Sequence, residues 1–339
     1  MTKLLIALLG VAGLVAALTP VNAGAQRPVP RAGDAKTAVG DAGGALVGTW
    51  KLARIELLGP GGQVLPAPAP PAFGSPGPVG VMFYGAAGHF GVTIMQSGRP
   101  RYAGAQPTPE EAKKALAGFI ANFGTYSVDG TSRTLTHHVE GSLHPNDTGA
   151  LEQSAIQLSG DQLTLTPARQ RAGSRWRSVW ERVADLPQLT PTHRRMVGFW
   201  RRASRDRRKP NGELYDSDPV RQAGVLIFSA AGYMSVHGMQ PGRTKFAGAE
   251  PTPAEAKAAI GSYGSAYFGP FTVNEAEQFE VTRQIGLVNP GQVGMDARRH
   301  LEFPGPDRMT LKPPVETVSG LQLQSYVHWE RVSGEGLPK

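Results

Sequence analysis

Short apolar segments separated by turn residues recur along the chain and predict an all-β fold. Val81 to Tyr84 and Phe90 to Met95 flank a Gly-Ala-Ala-Gly-His loop, which is typical of a β-hairpin. Similar short strands are predicted further along, at residues 126–128, 134–139, 156–158 and 163–166. Turn residues lie between these segments, so each segment is expected to pair with its neighbour in an antiparallel sheet.

One segment in this series has helical spacing instead. Thr108-Pro109-Glu110-Glu111 has the composition of a capping box with proline at the first helical position. The apolar residues that follow recur at helical intervals and predict one helix among the strands: Ala112, Ala115, Leu116, Phe119 and Ile120.

The whole series occurs twice, at an offset of 144 to 150 residues. Gly48-Thr49-Trp50 returns as Gly198-Phe199-Trp200, and the Trp-Glu-Arg-Val segment from Trp180 returns from Trp329. The helix signal returns with Thr252, Pro253, Glu255, Ala256, Ala259, Ile260 and Tyr263. We therefore expect two domains, at 45–184 and 196–334, joined by a proline-containing linker at 185–195. Roughly eight strands and one helix per unit favour closed antiparallel barrels.

The first residues predict export. Lys3 precedes an uncharged apolar run from Leu4 to Leu18, and Ala23-Gly24-Ala25 resembles a signal-peptide cleavage site. We expect a signal peptide over residues 1–25, a flexible leader over 26–44, and a periplasmic or secreted protein that does not span a membrane. The chain has no cysteine, which excludes disulfides, thiolate nucleophiles and cysteine zinc sites.

The net charge of +8 is concentrated in one segment. Between Arg194 and Lys209, eight of sixteen residues are basic, and only Asp206 opposes them. One interpretation is a solvated strand and turn, and the other is contact with an anionic envelope surface or partner. Export disfavours nucleic acid as the partner, since a basic patch alone is only an electrostatic footprint.

Several of these motifs together resemble the bacterial lipocalin-like domain family. They are Gly48-Thr49-Trp50, Gly88-His89-Phe90, the segment 118–129, the segment 136–146 and the late Trp-Glu-Arg at 180–182. The likeness covers the first unit nearly end to end and the second unit more loosely. It implies two tandem lipocalin-like β-barrels with a cavity for a small, largely apolar molecule, and it implies no agreed reaction. By the same likeness, Trp50 pairs with Arg182 and Trp200 pairs with Arg331 through cation–π stacking.

The segment Thr136 to Asn146, with sequence THHVEGSLHPN, is rich in candidate chemistry. Strand alternation puts His138, Glu140 and Ser142 on one face, which either faces solvent or, in the interpretation that gives a site, points into the barrel. These side chains would then line a pocket, or His138 and Glu140 would form an acid–base pair of an isomerase, cyclase or hydrolase. Two further interpretations remain open: zinc binding by His138 and Glu140 with His144 or His89, and a purely structural strand.

The second copy lacks this polar set. Aligned through Pro145 and Pro290, the residues His137, His138, Glu140 and His144 become Thr282, Arg283, Ile285 and Asn289. We infer that the first unit carries the site. The second unit binds a different ligand (Arg283 would favour an anion), docks against the first, or scaffolds it.

Other candidates for a ligand site are His89 and a set of aromatic residues. Tyr84 and Tyr126 are predicted to contact ligand, and further aromatic walls could come from Phe90, Tyr102 and Phe123. No resident cofactor or metal is predicted, because no phosphate-binding glycine loop, nucleophile elbow or His-Glu-x-x-His motif occurs. The sequence thus favours an exported carrier of a small apolar or amphipathic molecule. The alternatives are an enzyme that uses His138 and Glu140, and an envelope-associated interaction protein that uses the basic segment.

Overall fold

The chain forms two closed eight-stranded antiparallel β-barrels. The structure, a computed structural model, describes residues 41–66, 77–168, 175–218 and 223–336. The predicted signal peptide lies outside the described residues. Of the predicted flexible leader only residues 41–44 are described, and they form a short helix.

Barrel 1 closes because its first strand pairs with both the second and the last strand. Each strand pairs with the next along the chain, so chain order is also the order round the barrel. The strands are β1 (Gly48–Leu58), β2 (Val79–Tyr84), β3 (His89–Met95), β4 (Phe119–Asp129), β5 (Thr134–Ser142), β6 (Leu151–Ser159), β7 (Gln162–Pro167) and β8 (Arg175–Val183).

Barrel 2 repeats this arrangement with short additions. Its strands are β9 (Gly198–Arg208), β10 (Leu214–Asp218), β11 (Ala223–Phe228), β12 (Tyr233–Met239), β13 (Ser265–Asn274), β14 (Phe279–Arg283), β15 (Gly286–Leu287), β16 (Asp296–Gly305), β17 (Arg308–Lys312), β18 (Glu316–Val318) and β19 (Leu321–Arg331). Pairing of β9 with β19 closes the ring of eight. The short strands β10, β15 and β18 pair with β9, β13 and β19 outside that ring.

In the described part of the chain, four short α-helices accompany the strands: α1 (Asp41–Gly44), α2 (Pro109–Ala117), α3 (Pro191–Met196) and α4 (Pro253–Gly261). The capping boxes predicted for α2 and α4 are confirmed, with Thr108 and Thr252 as the N-caps. The predicted extension of α2 through Phe119 and Ile120 is wrong. The helix ends before Gly118, and both residues belong to β4, where adjacent side chains face opposite sides. Among the described residues, no helix is long and apolar enough to cross a membrane.

A tryptophan stacked under an arginine closes one end of each barrel, which confirms both predicted pairs. The Arg182 guanidinium lies 4.2 Å from the Trp50 ring centroid, and the Arg331 guanidinium lies 4.1 Å from that of Trp200. The Trp50 indole N–H donates to the Leu46 carbonyl at 2.8 Å. Arg182 also donates hydrogen bonds to the carbonyls of Val47 and Ala45. The same guanidinium therefore stacks on the Trp50 ring and satisfies two backbone carbonyls.

The glycine of each Gly-x-Trp motif is required by this arginine. Gly48 and Gly198 have φ of +132° and +133°, a region that L side chains rarely adopt. A Cβ at either position would lie 2.8 Å from Nη1 of Arg182 or Arg331 respectively. The motif therefore marks the place where the backbone passes close under the guanidinium.

The outer faces of the two barrels pack against each other. Phe83 and Phe123 of barrel 1 share one buried apolar cluster with Ile227 and Phe268 of barrel 2, and helices α2 and α4 pack side by side beneath it. The strands β2 and β11 are buried along nearly their whole length because one face fills a barrel and the other meets the neighbouring barrel. Docking against the first unit, one of three expected roles for the second, is thus observed.

Two arginines at equivalent positions of the repeat each donate hydrogen bonds across this interface to the other barrel. Arg99 of barrel 1 donates to the carbonyls of Leu287 and Val288 in barrel 2, and Arg243 of barrel 2 donates to the carbonyls of Ser142 and Leu143 in barrel 1. Burial lowers the pKa of each arginine to about 10, which leaves both charged at neutral pH. Charged donors on backbone carbonyls of the other barrel make the docking directional as well as apolar.

Candidate ligand-binding site

The interior of barrel 1 is apolar and incompletely filled. At the end capped by Arg182, Trp50 and Trp180 are fully buried. Other inward-facing side chains in the same cluster stay half-buried: Ile55, Val92, Ile120, Val128 and Ile156. Because these residues point away from bulk solvent and still keep accessible surface, the barrel encloses space that reaches solvent. An eight-stranded barrel has room for one small ligand.

A tyrosine–histidine pair provides a polar group in this interior. The Tyr84 hydroxyl and His137 Nε2 are 2.8 Å apart, and the imidazole stacks on Phe90 with centroids 4.1 Å apart. Tyr126 packs edge-on against Tyr84 at 4.7 Å. Burial lowers the pKa of His137 to about 3 and raises the pKa of Tyr84 well above its usual value. Both groups are therefore uncharged at neutral pH, which suits an environment built for an apolar molecule.

The second nitrogen of His137, Nδ1, has no hydrogen-bond partner among the described residues. Glu152 of β6 lies directly opposite His137 of β5, so its side chain also faces inward, and burial raises the pKa of its carboxyl. Asn122 of β4 is a further buried polar residue. His137, Glu152 and Asn122 are thus groups that can orient a ligand, and sequence reasoning overlooked all three.

The predicted inward orientation of His138 and Glu140 is wrong. Both side chains are exposed, and the Glu140 carboxylate forms a surface ion pair with Arg201 of barrel 2 at 3.2 Å. In β5 the inward face carries Leu135, His137 and Val139, which pack on the barrel interior. A molecule held inside the barrel is therefore out of reach of His138 and Glu140, either as pocket lining or as an acid–base pair.

His144 and His89 lie between the barrels instead of inside barrel 1. Ser142 is fully buried and lies directly opposite Asn122, beyond an irregularity in the pairing of β4 with β5, so its side chain shares the inward face with Asn122 while its carbonyl accepts the bond from Arg243. The His89 imidazole pairs with the buried Glu335 carboxylate of the C-terminal segment at 2.9 Å, and the same carboxylate accepts the Ala87 and His89 backbone N–H groups. Within the described residues, no group of three or more histidine, aspartate and glutamate side chains could hold a metal ion.

The predicted aromatic residues divide between two places. Tyr84, Tyr126 and Phe90 lie in the barrel 1 interior, as expected for ligand contacts. Phe123 packs outward in the cluster between the barrels, and the Tyr102 hydroxyl donates to a barrel 2 carbonyl. Contact of Tyr84 and Tyr126 with a ligand stays a prediction.

The basic segment is only partly a solvated surface. Most of it forms β9, in which Arg201 is exposed while Arg202 and Arg205 face the interior of barrel 2 and are half-buried. Arg283, expected to favour an anion, lies on the outside and pairs with Asp296 at 2.9 Å. Cationic chemistry inside barrel 2 therefore comes from β9, together with Arg299 of β16, and not from the segment equivalent to the histidine-rich strand.

Comparison with known families matches the chain twice. The model of the lipocalin-like domain covers residues 47–183 and residues 197–332. Comparison with curated proteins finds no match.

Among solved structures, a redesigned beta barrel is 14% identical over 43% of this chain and 98% of its own, with a TM-score of 0.24. A DUF3598-family protein of unknown function from Nostoc punctiforme is 10% identical over 84% of this chain and 96% of its own, with a TM-score of 0.20. These scores are too low to bear on the fold.

Proposed function

Since the chain belongs to the lipocalin-like domain family, in two tandem copies, we propose that it binds and carries a small apolar or amphipathic molecule, with the principal site inside barrel 1. The observation that carries this proposal is the set of inward-facing aliphatic side chains that remain half-buried. A barrel that served only as a scaffold would gain stability by filling this space, because unfilled apolar volume costs packing energy.

The polar groups of the interior support a ligand with at most one or two hydrogen-bonding atoms. The uncharged Tyr84–His137 pair offers one free ring nitrogen, and the inward Glu152 carboxyl, whose pKa burial raises, lies directly across from it. Few placed polar groups on an apolar wall are what orients small ligands in such cavities. A hydroxyl or carbonyl on an otherwise apolar skeleton fits these partners.

Filling the barrel is expected to abolish binding. Ile120 faces the interior of barrel 1, and Ser265 occupies the equivalent half-buried position of barrel 2. Ile120→Trp should reduce the affinity for the neutral fluorescent probe phenylnaphthylamine by at least about tenfold, which is about 1.4 kcal/mol, by occupying the cavity. Ser265→Trp is the matched control and should leave that affinity within about twofold.

Fluorescence titration of both variants with the full chain checks the assignment, and native mass spectrometry of the purified protein identifies any molecule already bound. Equal loss in the two variants would place the principal site outside barrel 1. Probe binding that survives both substitutions would remove the barrel interiors from consideration.

Export is part of the same proposal. It is supported by Lys3, the apolar run from Leu4 to Leu18 and the small residues Ala23-Gly24-Ala25. N-terminal sequencing of the chain expressed with these residues in a Gram-negative host is expected to give a mature start near Gln26 in the periplasmic fraction. Recovery of the uncut chain from the cytoplasm would refute this location without affecting the ligand proposal.

A further inference from the structure

Barrel 2 has arginines at three inward positions where barrel 1 has aliphatic side chains. The offset of 150 residues that relates Trp50 to Trp200 also relates these positions. The arginines are Arg202, Arg205 and Arg207, and the residues at the equivalent positions of β1 are Leu52, Ile55 and Leu57. The two copies have thus kept the same strand and changed the chemistry of its inner face.

The inward orientation of the arginines follows from strand pairing. Arg202 and Arg205 lie opposite Trp329 and Val327 of β19, and both of these pack in the apolar interior of barrel 2. Directly opposed residues in a sheet share a face. The pairing of β9 with β19 shifts just after Arg202, at the position where β1 shifts after Leu52, so the alternation beyond the bulge is the same in both barrels.

The middle arginine of the three lacks a partner. Arg202 pairs with Asp218 at 3.4 Å, and Arg207 pairs with Asp216. Among the residues that the structure describes, Arg205 forms no ion pair, and its buried Nε has no hydrogen-bond partner. The pKa of the Arg202 guanidinium is lowered, chiefly by burial, and the positive charge of Arg205 adds to this lowering. The Asp218 carboxylate opposes it. The nearby Asp216 carboxylate, whose pKa the charge of Arg205 helps to lower, is already paired with Arg207. A half-buried cation without an ion pair of its own is costly, and an anion at this place would offset the cost.

The interior of barrel 2 contains a second unsatisfied polar group. The fully buried Glu280 accepts a bond from the Thr282 hydroxyl at 2.8 Å through one carboxyl oxygen, while the other has no partner among the described residues. Glu280 lies on β14, four strands round the ring from β9, and faces inward opposite Arg299 of β16. Burial raises the pKa of Glu280 to about 7, so this carboxyl can hold a proton and donate it to an oxygen atom.

The remaining inner wall of barrel 2 is apolar and incompletely filled. The inward-facing Val273, Phe303 and Val327 pack on the buried cluster and stay half-buried. An apolar tail therefore has a surface to cover, and Arg202 and Arg205 lie on one strand of the same interior, with Arg299 on β16 beside Glu280. A ligand with both properties satisfies what the fold leaves unpaired.

We propose that barrel 2 is a second ligand site, specific for a monoanionic amphiphile, in which the Arg205 guanidinium binds the ligand's carboxylate and the apolar tail covers the inner wall. A planar guanidinium binds a carboxylate through two parallel N–H···O bonds, which a neutral head group cannot accept with the same strength. The two barrels then differ in ligand class: neutral and apolar in barrel 1, anionic and amphipathic in barrel 2.

The test compares two probes with the same tail, dodecanoate and dodecanol, by isothermal titration of the full-length chain at a pH of about 8, where the carboxyl is ionised. Arg205→Ile installs the residue found in barrel 1. We expect it to weaken dodecanoate binding by at least about tenfold and to leave dodecanol binding within about twofold. Arg205→Lys keeps the positive charge but cannot form the two parallel N–H···O bonds of a guanidinium. Its affinity for dodecanoate should therefore lie between those of the parent chain and of Arg205→Ile.

Arg201→Ser is the matched control, because Arg201 lies on the same strand with its side chain exposed. It should leave both affinities unchanged. The proposal is overturned if dodecanoate does not bind, if Arg205→Ile weakens both probes equally with an unchanged unfolding midpoint, or if Arg201→Ser weakens dodecanoate as much as Arg205→Ile. The same titration of the Ile120→Trp chain separates the two sites: loss of phenylnaphthylamine binding with retained dodecanoate binding supports independent barrels.

Discussion

Replacing Trp50 by alanine is expected to lower the free energy of unfolding of barrel 1 by about 3–5 kcal/mol. The Trp50 side chain is fully buried, its indole N–H bonds to the Leu46 carbonyl, and the Arg182 guanidinium stacks on its outer face. Truncation leaves a cavity of indole size, a Leu46 carbonyl without its hydrogen-bond donor and an Arg182 guanidinium without the ring on which it stacks. The three losses occur together because all three interactions are made by the Trp50 indole.

Urea unfolding followed by far-ultraviolet circular dichroism measures this loss. Trp176→Ala is a suitable control, because Trp176 also lies on barrel 1 but is only half-buried, and it should cost markedly less. Trp200→Ala should repeat the large effect in barrel 2, where Arg331 holds the equivalent position. A Trp50→Ala chain with normal stability and defective probe binding would falsify the structural role and make Trp50 a ligand contact.

Lowering the pH from about 7 to about 4 is expected to destabilise the folded chain by roughly 6 kcal/mol. Burial lowers the pKa of His137 and of His237 to about 3, and that of His144 to about 4. In the unfolded chain the pKa of each of these histidines is about 6.5, so the unfolded state takes up protons first as the pH falls. The stability is fully present above the unfolded pKa and is lost between it and the folded values, at about 3 kcal/mol for each histidine.

Two buried carboxyls, Glu280 and Glu152, act in the opposite direction because burial raises the pKa of each. Burial raises the pKa of Glu280 to about 7, so this group destabilises the folded state at neutral pH and stops doing so as it gains a proton. That recovers about 3 kcal/mol by pH about 4 and reduces the summed loss from roughly 9 to roughly 6 kcal/mol. Acid sensitivity is therefore a balance of buried histidines against buried carboxyls, in which His137, His237, His144 and Glu280 have the largest shifts.

The share of His137 can be isolated with residues that the repeat itself provides. Barrel 2 has Phe228 and Thr282 where barrel 1 has Tyr84 and His137. The double variant Tyr84→Phe/His137→Thr should flatten the dependence of unfolding free energy on pH below about 6.5 by close to one proton. Tyr84→Phe alone retains the buried imidazole and should retain the slope. A double variant with the slope of the parent chain would show that His137 is not buried uncharged.

Much of the fold was accessible from the sequence because its signals are local. The capping box of α2 needs only Thr108 and Glu111 three residues apart, and the Gly-x-Trp motif needs only Gly48 and Trp50. Repetition of both at a nearly constant offset predicts two similar domains without any knowledge of tertiary contacts. The strand boundaries were less well predicted, since β4 begins directly after Gly118 and takes in residues with helical spacing.

Only part of the candidate site could be predicted from the sequence. Alternation correctly separates His137 from His138, but the expected inward orientation is wrong for His138 and Glu140. The decisive signal was already in the sequence: Leu135 and Val139 share a face with His137, and apolar residues of a strand with one solvated face point to the core. Glu152 and Asn122 carried no comparable signal, because their place in the interior depends on which residues lie opposite them in neighbouring strands.

The sequence by itself determined the two-fold repeat, the strand-rich composition and the capped helices, since each rests on residues at fixed short spacings or on the comparison of one copy with the other. The tryptophan–arginine pairs were implied by the resemblance to the lipocalin-like domain family. Only the tertiary structure decided which face of β5 and β9 lines a barrel, which apolar strands are buried on both sides, and where Arg99 and Arg243 find their carbonyls. The physical reason is that alternation assigns neighbours to opposite faces, whereas inside and outside are defined only once the sheet closes and the second barrel covers part of the first.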